Sequence, residues 1–301
     1  MKMKFWTIVL PLVLCLFSCD NKKENNAVVF SGHIKNTKLD SVYIILNERE
    51  KGFALDFDGN FSDTIQLNDE GYKTFSIDRE EYTLYLVPGD SLNFNSDLRK
   101  LEDTYYFKGK GAERNNYLFQ KDKLINSWLA NNDLFKLDSD HYIQNIQDFS
   151  TTLRKLMVES NVDKPFEKIE ARNLYFDEFN LLYTYRDSYS YFNPTKTQLP
   201  IDFLDFKRFD LDNDDDFKQF KSYRSIVTYF LDEKLNRGES PLEILKNIKS
   251  ESIKYSFIRT LIDALDPADE FSQISYQAIQ SFCEYQPWLK EAKLIMDNRK
   301  K

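Results

Sequence analysis

The chain has 301 residues and a formal charge of −8, from 41 Lys and Arg against 49 Asp and Glu. That balance argues against nucleic acid as a partner, which selects basic surfaces, and against a peripheral basic contact with anionic lipid. Only two histidines, His33 and His141, are present, too few for a His-rich metal site or a His-based triad, so no metal or cofactor is expected.

At the N-terminus, Lys2 and Lys4 precede an apolar run from Phe5 to Phe17 broken only by Thr7 and Pro11. This is the layout of a cleavable secretory signal, too short to span a bilayer permanently. It closes on Leu16-Phe17-Ser18-Cys19, which resembles a bacterial lipobox. Processing before Cys19 would remove residues 1–18 and acylate Cys19, giving a protein held on a membrane of the bacterial cell envelope, the outer membrane for preference. Each buried methylene contributes roughly 0.8 kcal/mol, so several acyl chains hold almost permanently. Residues 19–27 are mostly polar and read as a flexible tether. Of the three cysteines, Cys15 leaves with the signal and Cys19 becomes the anchor. Cys283 alone remains, so the mature chain has no intramolecular disulfide. Cys283 is expected to be buried as a small apolar residue rather than to serve as a redox thiol.

From Val28 to Phe107 the apolar pattern has period two. Strands are predicted at Val28–Ile34, Ser41–Leu46, Gly52–Phe57, Phe61–Ile65, Tyr72–Ile77, Glu81–Val87 and Ser91–Asn95, with a closing strand at Tyr105–Phe107. Asp58-Gly59-Asn60 between alternating runs is a hairpin signal. Pro88-Gly89 suits a type II turn. Short strands at this spacing predict an antiparallel β-sandwich or barrel-like module over residues 28–108.

The period changes at Gly109-Lys110-Gly111, which reads as a flexible junction because it lacks the spacing of a phosphate-binding loop. Residues 109–301 then read as an all-helical domain, making the whole chain α+β. Helices are predicted at Ala112–Ala130, His141–Glu159, Pro165–Tyr191, Asp214–Leu235, Pro241–Ile248, Glu251–Leu265, Phe271–Cys283 and Trp288–Asn298. Ser240-Pro241 fits a serine cap followed by an N1 proline. Asp266-Pro267 ends the helix before it.

Two clusters invite a functional reading. Asp210-Leu211-Asp212-Asn213-Asp214-Asp215-Asp216 has carboxylates at calcium-loop spacing, but Asp215 stands where the loop needs glycine and Lys221 where it needs glutamate. It is better read as an acidic cap on the helix that follows. Tyr183, Tyr185, Tyr189, Tyr191 and Phe192 form a dense aromatic group, either a stacking platform for sugar or peptide or a helical core with an exposed rim. His33 and His141 have no Ser or Cys partner and read as structural or surface residues, and no carboxylate pair or other catalytic constellation stands out.

Asp58-Gly59-Asn60-Phe61, Leu86-Val87-Pro88-Gly89-Asp90-Ser91-Leu92 and Phe107-Lys108-Gly109-Lys110-Gly111-Ala112-Glu113-Arg114-Asn115-Asn116-Tyr117-Leu118 together resemble the N-terminal region of TlpA-like thiol-disulfide oxidoreductase lipoproteins of Bacteroidota. The resemblance covers roughly Val28 to Leu118 and continues loosely through the helices, for example at Tyr223-Arg224. It implies a lipobox, a small β-domain, a helical segment and a C-terminal thioredoxin fold with a Cys-x-x-Cys site. This chain ends at Arg299-Lys300-Lys301, about where the linker into that fold would begin, and has no Cys-x-x-Cys. None of the family's catalytic residues has a matching position.

The expectation is therefore a membrane-anchored envelope lipoprotein acting as a non-catalytic accessory or binding module for a peptide, glycan or protein partner. The alternative is the non-thioredoxin portion of a TlpA-like redox system, with the redox domain on another chain or lost by truncation.

Overall fold

The computed structural model describes residues 26–46, 49–200 and 203–297. The signal, Cys19 and most of the tether lie outside the described residues. The fold is α+β, with two four-stranded sheets followed by a helical array.

The strands are β1 (Ala27–Lys35), β2 (Ser41–Leu46), β3 (Arg49–Ala54), β4 (Asn60–Gln66), β5 (Gly71–Ile77), β6 (Glu80–Leu86), β7 (Ser91–Asp97) and β8 (Tyr106–Lys110). One sheet has the order β4-β1-β7-β8, the other β3-β2-β5-β6. Alternation decides which face is buried: in β1, Val28, Phe30 and Ile34 point inward. Phe30 from the first sheet meets Phe53 and Phe75 of the second at 5.1 and 5.2 Å, and Phe75 meets Phe94 at 5.1 Å. These interlocked edge-to-face rings are the sandwich core.

Two expectations are corrected here. Asp58-Gly59 does not close a hairpin, because β3 pairs with β2 and β4 pairs with β1. Asp56 accepts from the Asp58 and Asn60 amides through one carboxylate oxygen, and this turn carries the chain from one sheet to the other. Nor is the first sheet wholly antiparallel, since β1 and β7 run parallel.

The helices are α1 (Leu101–Thr104), α2 (Ala112–Leu129), α3 (Ser139–Glu159), α4 (Lys164–Phe192), α5 (Asp214–Gln219), α6 (Lys221–Asn236), α7 (Pro241–Asn247), α8 (Glu251–Asp263), α9 (Glu270–Phe282) and α10 (Gln286–Asp297). The helix predicted over Asp214–Leu235 is split at Phe220, whose backbone is extended (φ −111°, ψ 118°). That single extended residue drives the Phe220 ring into the core, 5.4 Å from Phe176 of α4 and 6.0 Å from Tyr72 of β5. Phe176, Phe220, Tyr223, Ile226, Leu245, Ile258 and Ile279 belong to one apolar core shared by α4 and α6 to α9.

The Gly-Lys-Gly junction is built into regular structure rather than left free. Gly109 and Lys110 pair with Leu92 and Ser91 as the end of β8, and Gly111 caps α2. Gly109 has φ +95°, and a Cβ there would lie 2.1 Å from the Ser91 carbonyl oxygen, so only glycine fits.

Helix α2 closes the open side of the sandwich. Asn115 Oδ1 accepts from the Tyr85 amide at 2.9 Å, and its Nδ2 donates to the Tyr85 carbonyl at 3.1 Å. Asn116 does the same for Phe107, at 2.7 and 3.0 Å. Tyr85 lies on β6 and Phe107 on β8, the edge strands of the two sheets. Consecutive asparagines thus give each edge strand the partner a further strand would have supplied, which protects both edges from foreign pairing. Arg114, the residue before them, pairs with Asp90 of the β6–β7 turn and with Asp163, the N-cap of α4, both at 2.5 Å.

Candidate functional site

Where the outer face of the second sheet meets the helices, a cleft of about 1540 Å³ opens. Its lining comes from β5, β6, α2, α4, α5, α6 and α8, with Ile45 of β2, Glu102 of α1 and Trp288 of α10. Seven Lys and Arg side chains line it against five Asp and Glu, a positive excess in a chain whose net charge is negative. Aromatic side chains, including Tyr72, Phe217, Tyr255 and Trp288, are spread among them.

The floor is a buried polar network. Glu170 of α4 is fully buried, and its carboxylate accepts from Lys121 at 2.7 Å, Tyr117 at 3.0 Å, Asn173 at 3.3 Å and the Tyr72 hydroxyl. Lys121 reaches on to Asp177 at 3.1 Å, and Asp177 accepts from the Ser222 hydroxyl. One network therefore joins β5, α2, α4 and α6. Burial alone would lower the Lys121 pKa, but Asp177 and Glu170 outweigh it and hold the ammonium above its ordinary value. Burial, then the charge of Glu170, pushes the Tyr72 and Tyr117 phenols up, so both remain hydrogen-bond donors.

Asp122, next to Lys121 in the chain, also lines the cleft and has a different environment. Burial pushes its carboxyl up to about 6, with Lys121 opposing and Asp177 adding to the rise. A carboxyl in a cleft that titrates near neutrality can hold or release a proton as a charged ligand arrives. The same shift makes a stability prediction. The unfolded carboxyl titrates near 3.8 and the folded one near 6, so the folded state holds the proton more tightly. The stability of the native chain relative to Asp122→Asn should fall as pH rises from about 4 to about 6 and then level off. Urea melts of both chains at half-unit pH steps read this directly; a flat difference across that window would contradict it.

The five aromatic residues singled out in the sequence do not form one surface, and none of them lines the cleft. Tyr185 and Tyr189 are buried, with Tyr185 stacked on Tyr142 of α3 at 3.8 Å. Tyr183 stacks on Tyr229 of α6 at 3.5 Å with the Arg186 guanidinium over its ring. Phe192 stacks on Phe135, and Tyr191 alone stands in solvent, 82% exposed. The acidic run caps α5: Asn213 accepts from the Asp216 amide, Asp216 pairs with Arg172, Asp214 with Lys218, and Asp212 accepts from the Lys249 and Ser250 amides. Among the described residues no group of three or more His, Cys, Asp or Glu is placed to hold a metal. His141 bonds the α3 cap residue Asp138 at 2.7 Å, and His33 lies within β1. Cys283 is buried, with its Sγ 3.7 Å from the Tyr285 carbonyl.

Read from the sequence, Tyr72, Lys121, Glu170, Asp177 and Arg224 carry no functional role. A signal was present: Lys121 follows Tyr117 and Leu118 on the inward face of α2, and Glu170, Asn173 and Asp177 follow Phe166 along the inward stripe of α4. Charged residues on an apolar stripe need buried partners. Which helices face each other is set by tertiary packing, and no spacing within one helix shows it.

No known family model matches the chain, and neither a characterised protein nor a solved structure is significantly similar to it.

Proposed function

We propose that this protein is a lipid-anchored cell-envelope lipoprotein acting as a non-catalytic binding module, with the cleft at the sandwich–helix seam as its ligand site. One observation carries the reading. The cleft is larger than the roughly 300–1,000 Å³ of small-molecule sites and mixes both charge signs with aromatic rings, which suits a stretch of polymer or a partner's surface segment. The buried network beneath it holds sheet and helices in fixed relation, so the site is formed before a ligand arrives, which lowers the cost of binding.

The anchor half of the proposal rests on Leu16-Phe17-Ser18-Cys19; no helix among the described residues is long and apolar enough to cross a membrane. In the TlpA-like resemblance, this chain would correspond to the accessory region. The alternative of a partner in thiol chemistry gains nothing from Cys283, whose thiol is buried.

The test combines both halves. A photo-crosslinking side chain at position 255 in the cleft should give a discrete adduct in the protein's own membranes. Cys19→Ala should shift the chain to the soluble or unprocessed fraction and remove that adduct if the partner is membrane-bound. An unchanged membrane fraction for Cys19→Ala would count against lipidation.

A further inference from the structure

Among the described residues, five arginines have buried or half-buried side chains: Arg114, Arg186, Arg208, Arg224 and Arg259. Four have carboxylates. Arg114 pairs with Asp90 and Asp163, Arg186 with Glu233, Arg208 with Glu178 at 4.0 Å, and Arg259 with Glu291 and Asp263. Arg224 has none among the described residues, and it lines the cleft. Its Nη1 donates to the carbonyls of Phe217 and Lys218, at 3.0 and 3.1 Å, which satisfies the open end of α5. That role uses one nitrogen. Nε and Nη2 make no hydrogen bond among the described residues, so the edge of the guanidinium that best matches a carboxylate is left for something else.

The surroundings reinforce the vacancy in charge. Lys221, three residues earlier and exposed, forms no salt bridge among the described residues. Ser252 and Ser256 of α8 line the same cleft and add neutral hydroxyls. A half-buried guanidinium without an anion carries a desolvation penalty that an incoming carboxylate would relieve.

We infer that Arg224 is the anchor for a carboxylate on an acidic peptide segment lying in the seam cleft. The inference rests on the cleft being the ligand site, as proposed above. A peptide fits better than an acidic glycan for two reasons. The Trp288 ring already has the Arg259 guanidinium over it at 5.7 Å and T-shaped contacts with Tyr255 and Tyr285, which compete with a sugar for its faces. The lining also includes Glu80, Glu81 and Asp122, which would repel a uniformly anionic chain and suit a peptide carrying both signs.

The experiment uses the full chain in detergent. Three fluorescent probes are titrated: a pool of decapeptides containing Asp and Glu, the same pool with Asn and Gln in their place, and an oligogalacturonate. The acidic pool should bind about ten-fold more tightly than its amide counterpart, the scale of one charge-assisted bidentate contact. Arg224→Gln should erase that difference and Arg224→Lys should keep part of it. Lys221→Glu, which breaks no bond in the structure, should weaken the acidic pool several-fold with an unchanged melting curve. Equal binding of acidic and amide pools, or indifference to both Arg224→Gln and Lys221→Glu, would overturn the inference while leaving the cleft reading in place. Preference for the oligogalacturonate would overturn the peptide assignment. No binding of any probe would overturn the inference too, and the adduct at position 255 then decides separately whether the cleft reading also fails.

Discussion

Glu170→Ala is expected to lower the free energy of unfolding by about 3–5 kcal/mol, the usual cost of stranding one partner of a buried ion pair. Glu170 is fully buried and Lys121 is 3% exposed, so neither can turn to water. Removing the carboxylate takes the acceptor from Lys121, Tyr117, Tyr72 and Asn173 together. Lys121 would keep only Asp177. A loss of this size is a large fraction of the 5–15 kcal/mol typical of a folded protein. The pair's net worth is a separate quantity. The double variant Glu170→Leu with Lys121→Met removes both charges and should be less destabilised than Glu170→Ala. Urea unfolding checks this through the midpoint and the slope. Because Tyr72 sits on β5 and Glu170 on α4, the single variant should also broaden the transition as sheet and helices come apart in separate steps. A loss under about 1 kcal/mol would mean the network adds little.

Asn115→Ala is expected to cost about 2–4 kcal/mol, because two buried backbone groups of Tyr85 lose their partner at about 1–3 kcal/mol for each unsatisfied group. Asn115 and Tyr85 are both buried, so water does not substitute. Asn116→Ala removes the matching contacts to Phe107 but at a half-buried residue where water can enter, and should cost less. Hydrogen exchange gives a residue-level check: the Tyr85 amide, protected by Asn115 Oδ1, should exchange faster in Asn115→Ala with little change at Phe107. Equal costs for the two variants together with unaltered protection at Tyr85 would contradict the role given to Asn115.

Much of the fold was legible because its elements are short-range events. Period-two runs located the eight strands among the described residues to within a few positions, and Ser240-Pro241 marked the start of α7 where the structure has it. The misses share a physical cause. Asp58-Gly59 carries the local chemistry of a tight turn, but whether its flanks pair with each other depends on which sheet each strand joins. Phe220 looks like one more apolar residue on a helical stripe, yet the gain from placing its ring against Phe176 and Tyr72 outweighs one turn of helix. The cleft was legible least of all. Tyr185 and Tyr189, where aromatic density is highest, are core, while the groups that line the cleft are spread over seven helices and three strands. Arg224 becomes notable only when the partners of the other half-buried arginines are known.

The measurement that tests the account most directly is the comparison of photo-crosslinking from position 255, in the cleft, with position 191, on the exposed rim of α4, in the protein's own membranes. The account predicts a discrete adduct from 255, competed away by the decapeptide pool rich in Asp and Glu, and no such adduct from 191. An adduct from 191 with none from 255 would move the binding surface to the outside of the helical array and contradict the cleft as the ligand site.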